Sequence, residues 1–319
     1  MAEKRRSFPR VDLRRLQLTH LSERPSKLSK QELAVPPLAG ESFEAFWRGL
    51  PDVLAAKDLR ALVADVVRAY RANNVVAVGI GGHVIKTGLA PLLVGLMRDG
   101  VVNAVAGNGS ICIHDVELAI AGKTSEDVEA ALDDGSFGMS AETADFILGA
   151  IAAEGARLGL GRALGEALLA RRGADVENSL LAQGAALGVP VTVHVSIGAD
   201  IIHMHPDTDG AALGAATLKD FHLFAEVVAG VADGGVYMNW GSAVIMPETF
   251  LKALSIARNL GHRAPFVTAD FDFITHYRPR TNVVTRPHKR SGRGYMFTGH
   301  HELMLPLLAA ALRCELAAP

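Results

Sequence analysis

The chain has 319 residues, of which 49% are apolar, 6% are aromatic and 32 are glycine, a profile that fits a compact α/β fold of one large domain or two small ones. Its formal net charge of −2 excludes the broad basic surface that releases counterions on nucleic acid. Two cysteines, Cys112 and Cys314, exclude a disulfide framework and fit a reducing, cytoplasmic setting.

Charge is nonetheless uneven. Residues 1–30 carry nine Lys or Arg (Lys4, Arg5, Arg6, Arg10, Arg14, Arg15, Arg24, Lys27 and Lys30) against Glu3, Asp12 and Glu23. No apolar run of a secretory signal follows them. The arm reads as an extension that either wraps a neighbouring subunit or stays mobile. With the linker Val35-Pro-Pro-Leu-Ala-Gly40 it sets residues 1–45 apart from a single α/β domain expected over 46–319. The longest uncharged run, Asn178–Ala199, contains Gln183, Gly188-Val-Pro190 and His194, so it reads as helix, turn and strand and no membrane span is expected.

A short capped helix is expected at Ser42-Phe-Glu-Ala-Phe-Trp47, then an amphipathic one over 51–72 with Leu59, Leu62, Val63, Val66 and Val67 at helical spacing. Asn74–Gly82 is an apolar strand running into glycines, and a helix from about Ile85 to Asp99 follows. Further strands are predicted at 101–106, 189–195, 235–239, 265–269 and 294–297. Helices are predicted at about 125–133, 141–172, 177–187, 217–231, 247–260 and 302–313. The alternation argues for a doubly wound, largely parallel sheet with helices on both faces.

Glycine and polar residues come after each strand, not before it. They are Gly79-Ile-Gly-Gly-His83, Gly107-Asn-Gly-Ser110, Ser196-Ile-Gly-Ala-Asp200, Asn239-Trp-Gly-Ser242, Asp270-Phe-Asp272 and Thr298-Gly-His-His-Glu302. Ligands of open α/β sheets bind outside the carboxyl ends of the strands, so six segments point chemistry at one edge.

The turn Gly79–Gly88 can present backbone N–H groups to a phosphate or simply turn tightly, since Val84 occupies the third glycine position of a dinucleotide fingerprint. Gly122-Lys-Thr-Ser125 lacks the first P-loop glycine, Glu117 standing there, so ATP binding is rejected and Thr124 reads as a helix cap. His114 beside Asp115 is either an oriented acid–base pair or the start of a helix. His203, His205, Asp207 and Asp209 cluster within seven positions after a buried strand, an arrangement costly to a core. They suit a substrate site or, through His203, His205 and Asp207, a divalent metal. His83, His276, His300, His301 and Glu302 could complete such a site. Arg278, Arg280 and Arg286–Arg290 are solvated loops or anion clamps, with Lys289 a Schiff-base candidate.

The glycine loop, Ala106-Gly-Asn-Gly-Ser110 with its His114-Asp115, the strand 189–195 with Ser196-Ile-Gly-Ala-Asp200, and Gly299–Leu308 together resemble deoxyhypusine synthase and its bacterial homologues over roughly 75–310. That resemblance implies an NAD-binding fold, a homotetramer with sites between subunits, and transfer of an aminobutyl group through a lysine imine. The chain departs from it where the catalytic lysine motif would stand. Lys289 lies nearby outside the motif, Trp240–Pro247 lacks the family's Lys and His, and His300 replaces an aspartate. A fainter likeness, through Ala106-Gly-Asn and His114-Asp-Val-Glu117, is to the NAD-containing ornithine-cyclising domain of some arginine-degrading enzymes. The expectation is an NAD-dependent enzyme, transferase or oxidoreductase, acting on a small amine, polyamine or amino acid as a dimer or tetramer. Gly81, Gly82, Thr87, Gly88, Asn108, Gly109, Ser110 and Asp200 would hold the dinucleotide, and His114, Asp115, His203, His205, Asp207, Asp209, Lys289 and His300 would do the chemistry. The alternatives are a metal-dependent hydrolase or lyase and a non-catalytic ligand-binding homologue.

Overall fold

A strand buried on both faces need not alternate, and five such runs, with a sixth, partly exposed strand at one edge, form the sheet of this protein. The computed structural model describes residues 8–317, so Lys4, Arg5 and Arg6 of the basic arm lie outside the described residues. The strands are Val76–Ile80 (β1), Ala104–Asn108 (β2), Val191–His194 (β3), Val236–Trp240 (β4), Val267–Asp272 (β5) and Arg293–Thr298 (β6). All pair in parallel, in the order β3-β2-β1-β4-β5-β6. The chain therefore winds outward from β1 to β3, crosses back, and winds outward again from β4 to β6. The point of reversal lies between β1 and β4.

The helices begin with α1 (Phe43–Gly49), α2 (Leu54–Arg71), α3 (Gly82–Lys86), α4 (Ala90–Arg98), α5 (Gly109–Ala121) and α6 (Val128–Asp134). They continue with α7 (Ala141–Ala150), α8 (Ala156–Leu158), α9 (Leu160–Ala170), α10 (Leu180–Leu187), α11 (Gly210–Val231), α12 (Ile245–Asn259) and α13 (His301–Ala317). Two helices expected as continuous are broken by glycines in left-handed backbone. Gly88, at φ +77°, separates α3 from α4, and Gly159, at φ +89°, separates α8 from α9. α5 has no counterpart among the expected helices.

Val76, Val78, Ile80, Val105, Met238, Trp240 and Phe271 face one core, closed chiefly by α2, α4, α5, α9 and α13. Ala77, Ala104, Ala106 and Tyr237 face the other, where small side chains let α11 and α12 approach and Tyr237 stacks on Phe250 at 4.1 Å. The arm contrasts with both cores. Over residues 8–41 no side chain is buried, and Leu18 is 91% exposed. No helix of the described residues is long and apolar enough to cross a membrane.

The outer edge of β3 is held by side chains. Asp220 of α11 accepts the backbone N–H groups of Val193 (2.7 Å) and Gly161 (2.9 Å), and burial pushes its carboxyl up to about 7. Thr217 donates to the Val193 carbonyl and accepts from the Val195 N–H. α9 closes against the same strand at Gly161, where an added Cβ would stand 1.7 Å from the Val191 carbonyl oxygen. We expect Gly161→Ala to lose about 2–4 kcal/mol in chemical denaturation, because backbone must move. Gly149→Ala, in α7 with nothing within 4 Å of the new carbon, should be neutral or stabilise by up to about 1 kcal/mol.

Candidate functional site

Parallel pairing brings the six strand-end segments to one edge of the sheet, as the sequence pattern implies. Glycines let these segments press together. A Cβ on Gly81 would stand 2.2 Å from the Gly241 carbonyl oxygen, one on Gly82 2.2 Å from the Ser110 Oγ, one on Gly109 2.0 Å from Asp200 Oδ2, and one on Gly241 2.7 Å from the His301 ring. Asn108 closes β2 and its Oδ1 accepts the Ser110 hydroxyl at 3.0 Å. Gly81, Gly82, Asn108, Gly109, Ser110 and Asp200 are thus neighbours at the ends of β1, β2 and β3. Thr87 and Gly88 are not part of that turn. They end α3, where the Thr87 Oγ1 donates to the His83 carbonyl at 2.9 Å.

His114, half-buried on α5, faces Gly82, with Cδ2 3.4 Å from the position of an added Cβ. The Thr124 hydroxyl donates its proton to Glu117, so it accepts from His114 Nδ1 at 2.8 Å. That assigns the proton of the neutral ring to Nδ1 and leaves Nε2 as an acceptor. Burial, and to a lesser extent the charge of Lys86, depress its pKa to about 4.

Asp115 is elsewhere. One residue along a helix turns by about 100°, and this turn buries the carboxylate against the start of α10. There it accepts from the Ser179 hydroxyl (2.7 Å) and from the N–H groups of Leu180 (2.8 Å) and Leu181 (2.9 Å). It is buried, 1% exposed, and spends its carboxylate on the first turn of α10.

The cluster after β3 is a turn whose polar atoms serve the backbone. His203 Nδ1 accepts from the N–H groups of Gly198 and Asp200, His205 Nδ1 accepts from Asp207 N–H, and Asp209 caps α11. Asp207 has an 82% exposed side chain. Among the described residues no group of three or more His, Cys, Asp or Glu converges closely enough to hold a metal ion, so His203, His205 and Asp207 form no ligand set. Lys289 is on the opposite side of the sheet. It precedes β6, and what precedes a parallel strand lies at the amino edge; there it borders a cleft with Arg258 and Arg286. The lysine whose charge bears on His83 and His114 is Lys86. His300 caps α13, with its side chain 70% exposed. β3 and β6 are the two outer strands, five spacings or roughly 24 Å apart, so His205 and His300 share a rim and not a pocket.

His301, which the sequence offers only as one of several residues that could complete a metal site, has a different setting in the fold. It is 1% exposed, its Nε2 donates to the Phe271 carbonyl (3.1 Å), and its Nδ1 has no partner. His83 and Phe273 pack beside it with ring centroids at 5.5 and 6.0 Å. Its position one residue into a buried helix after β6 was the available signal. Asn239 and Asp270, paired across β4 and β5 by a 2.7 Å hydrogen bond, were legible as strand-end residues but not as a buried pair. Among the described residues, seven side chains hold a buried polar atom without a partner, and five of them belong to the carboxyl-edge segments: Asp200, His203, Asn239, Trp240 and His301. Buried polar atoms are normally paired, so the gathering of five unpaired ones sets this edge apart from the rest of the described residues.

No family model and no curated protein matches the chain. Solved structures do. ArgZ, an arginine dihydrolase of the cyanobacterial ornithine–ammonia cycle, aligns with 17% identity and a TM-score of 0.51 over 82% of this chain and 33% of its own. AgrE in ternary complex with ornithine and NAD+ aligns with 17% identity and a TM-score of 0.52, again over 82% and 33%. A protein from Entamoeba histolytica assigned as a deoxyhypusine synthase aligns with 9% identity and a TM-score of 0.51, over 85% of this chain and 93% of its own. The chain spans about a third of the length of ArgZ and AgrE. At these identities what is shared is the fold, and it is the deoxyhypusine synthase-like one.

Two outcomes test these assignments. Asp115→Ala strands three buried donors and should lower stability by about 2–4 kcal/mol, whereas His300→Ala should leave the thermal midpoint unchanged. Burial, helped by the Asp272 charge, raises Asp270 to about 7, above the ordinary carboxylate value of 3.8. The folded state then holds the proton more tightly than the unfolded one. Its contribution is whole below about pH 4 and lost as pH rises through about 7. Asp270→Asn should flatten that part of the stability–pH curve, measured by denaturation at fixed temperature.

Proposed function

We propose that this chain is an NAD-dependent enzyme that oxidises a small amine or amino acid at the carbon bearing nitrogen. The observation that carries the reading is the gathering of partnerless buried polar atoms along the edge at which the sheet order reverses between β1 and β4. Dinucleotides bind at such a reversal in doubly wound sheets, and AgrE, of like fold, was solved with ornithine and NAD+.

The residues fit the cofactor. Asp200, buried against Gly109 at the end of β2, offers in Oδ2 a free acceptor of the kind a ribose hydroxyl needs. Asn108 and Ser110 lie beside it, and Gly81 and Gly82 form the floor. When bound, the dinucleotide supplies a hydride acceptor. His114 offers Nε2 as a neutral acceptor for a substrate N–H, its ring fixed by Thr124 and Glu117. His301 offers a second unpartnered ring nitrogen at Nδ1. The position of Lys289 argues against transfer through an imine on that residue, so oxidation is the step these residues favour.

Titration calorimetry should show NAD binding to the wild-type chain, and Gly82→Leu should abolish it; no binding by the wild type refutes the proposal. His114→Ala should keep NAD binding and lose substrate-dependent NADH formation. The acid limb of the activity profile should fall near pH 4, since protonation of His114 below that pH removes the acceptor.

A further inference from the structure

On the other side of His114 from the strand-end crevice lies a cleft of about 720 Å³, within the range of small-molecule sites. We propose that it binds a basic α-amino acid and that its occupant acts on His114 through Thr124. Lys123 and Arg171 bring two cations to the lining, and Glu117, Glu126 and Glu142 bring three carboxylates, one more than the cations. A ligand with one carboxylate and two cationic nitrogens matches both the mixed signs and the balance. Arg171 is fixed for the carboxylate, its guanidinium resting 5.4 Å from the centroid of the Phe146 ring. Ile120 and Ala121 provide apolar wall for an aliphatic stem.

The route to His114 is a chain of hydrogen bonds. Thr143 donates to Glu117 Oε1 at 3.1 Å, Thr124 donates to Glu117 Oε2, and His114 Nδ1 donates to Thr124. Each carboxylate oxygen can accept again, so an ammonium group meets Glu117 without displacing either hydroxyl. Its charge draws electron density away from Thr124, and with it the hold on the His114 proton. Ser125, which follows Thr124 in the cleft wall, keeps left-handed backbone at φ +68°, a strained conformation for a side-chain-bearing residue. The proposal goes beyond the dinucleotide reading and does not depend on NAD.

The test is calorimetry on the full chain without NAD, using L-arginine and L-lysine as probes and L-glutamate as control. We expect at least one basic amino acid to bind and glutamate not to. Arg171→Ala and Glu142→Gln, both at exposed positions, should weaken binding by at least ~tenfold without changing the thermal midpoint. Saturation should shift the 15N resonances of the His114 ring, a shift kept in Thr124→Ser and lost in Thr124→Val while binding remains. Failure of both probes to bind, affinity that survives both Arg171→Ala and Glu142→Gln, or a shift that persists in Thr124→Val overturns the proposal.

Discussion

Parallel pairing is the constraint on which this molecule depends. Six strands that all run one way must each return through a crossover, and every crossover leaves from the same edge of the sheet. Chemistry then collects at that edge without any single motif to announce it. The reversal between β1 and β4 adds a second constraint, since crossovers depart from it in opposite directions and leave a crevice between them. Gly81 and Gly241, in contact across that reversal, mark its floor.

The glycines at the strand ends serve packing before they serve binding. Each removes a Cβ that would strike a neighbouring loop, and so couples the ends of β1, β2 and β4 into one layer. Polar atoms trapped in that layer find fewer protein partners than polar atoms in the sheet proper. The sheet interior satisfies its own backbone; the layer above it leaves Asp200 and His301, and the end of β4 leaves Asn239, with lone pairs and nothing to accept from. A buried acceptor in that condition is stabilised by whatever donor arrives.

Much of this was legible in the sequence, for identifiable reasons. Five of the strands are buried along their length and read as short, largely apolar runs, the edge strand Arg293–Thr298 alternates instead, and the polar or glycine residues that follow each strand point to the edge their ends share. α5 could not. Gly109–Ala121 is apolar on nearly every side, because it packs between the sheet and α3, α7, α9 and α10, and it shows none of the contrast by which helices are recognised. With α5 unread, His114 and Asp115 looked like partners, although a helix sends them to different neighbours. Lys289 was misplaced for a topological reason: it precedes a parallel strand, and only residues that follow one reach the carboxyl edge. His205 and His300 are on the shared rim as the pattern implies, but rim is not pocket, and the strand order that separates them is not written in any local stretch.

The treatment of β3 has a consequence for how copies of this chain can meet. An outermost strand ordinarily offers a row of open N–H and C=O groups on which a neighbouring sheet can continue. Here the Asp220 carboxylate, the Thr217 hydroxyl and the close approach of α9 at Gly161 already occupy that row. Association by extending the sheet across subunits is therefore blocked at this margin, and any assembly that engages it must do so through helices.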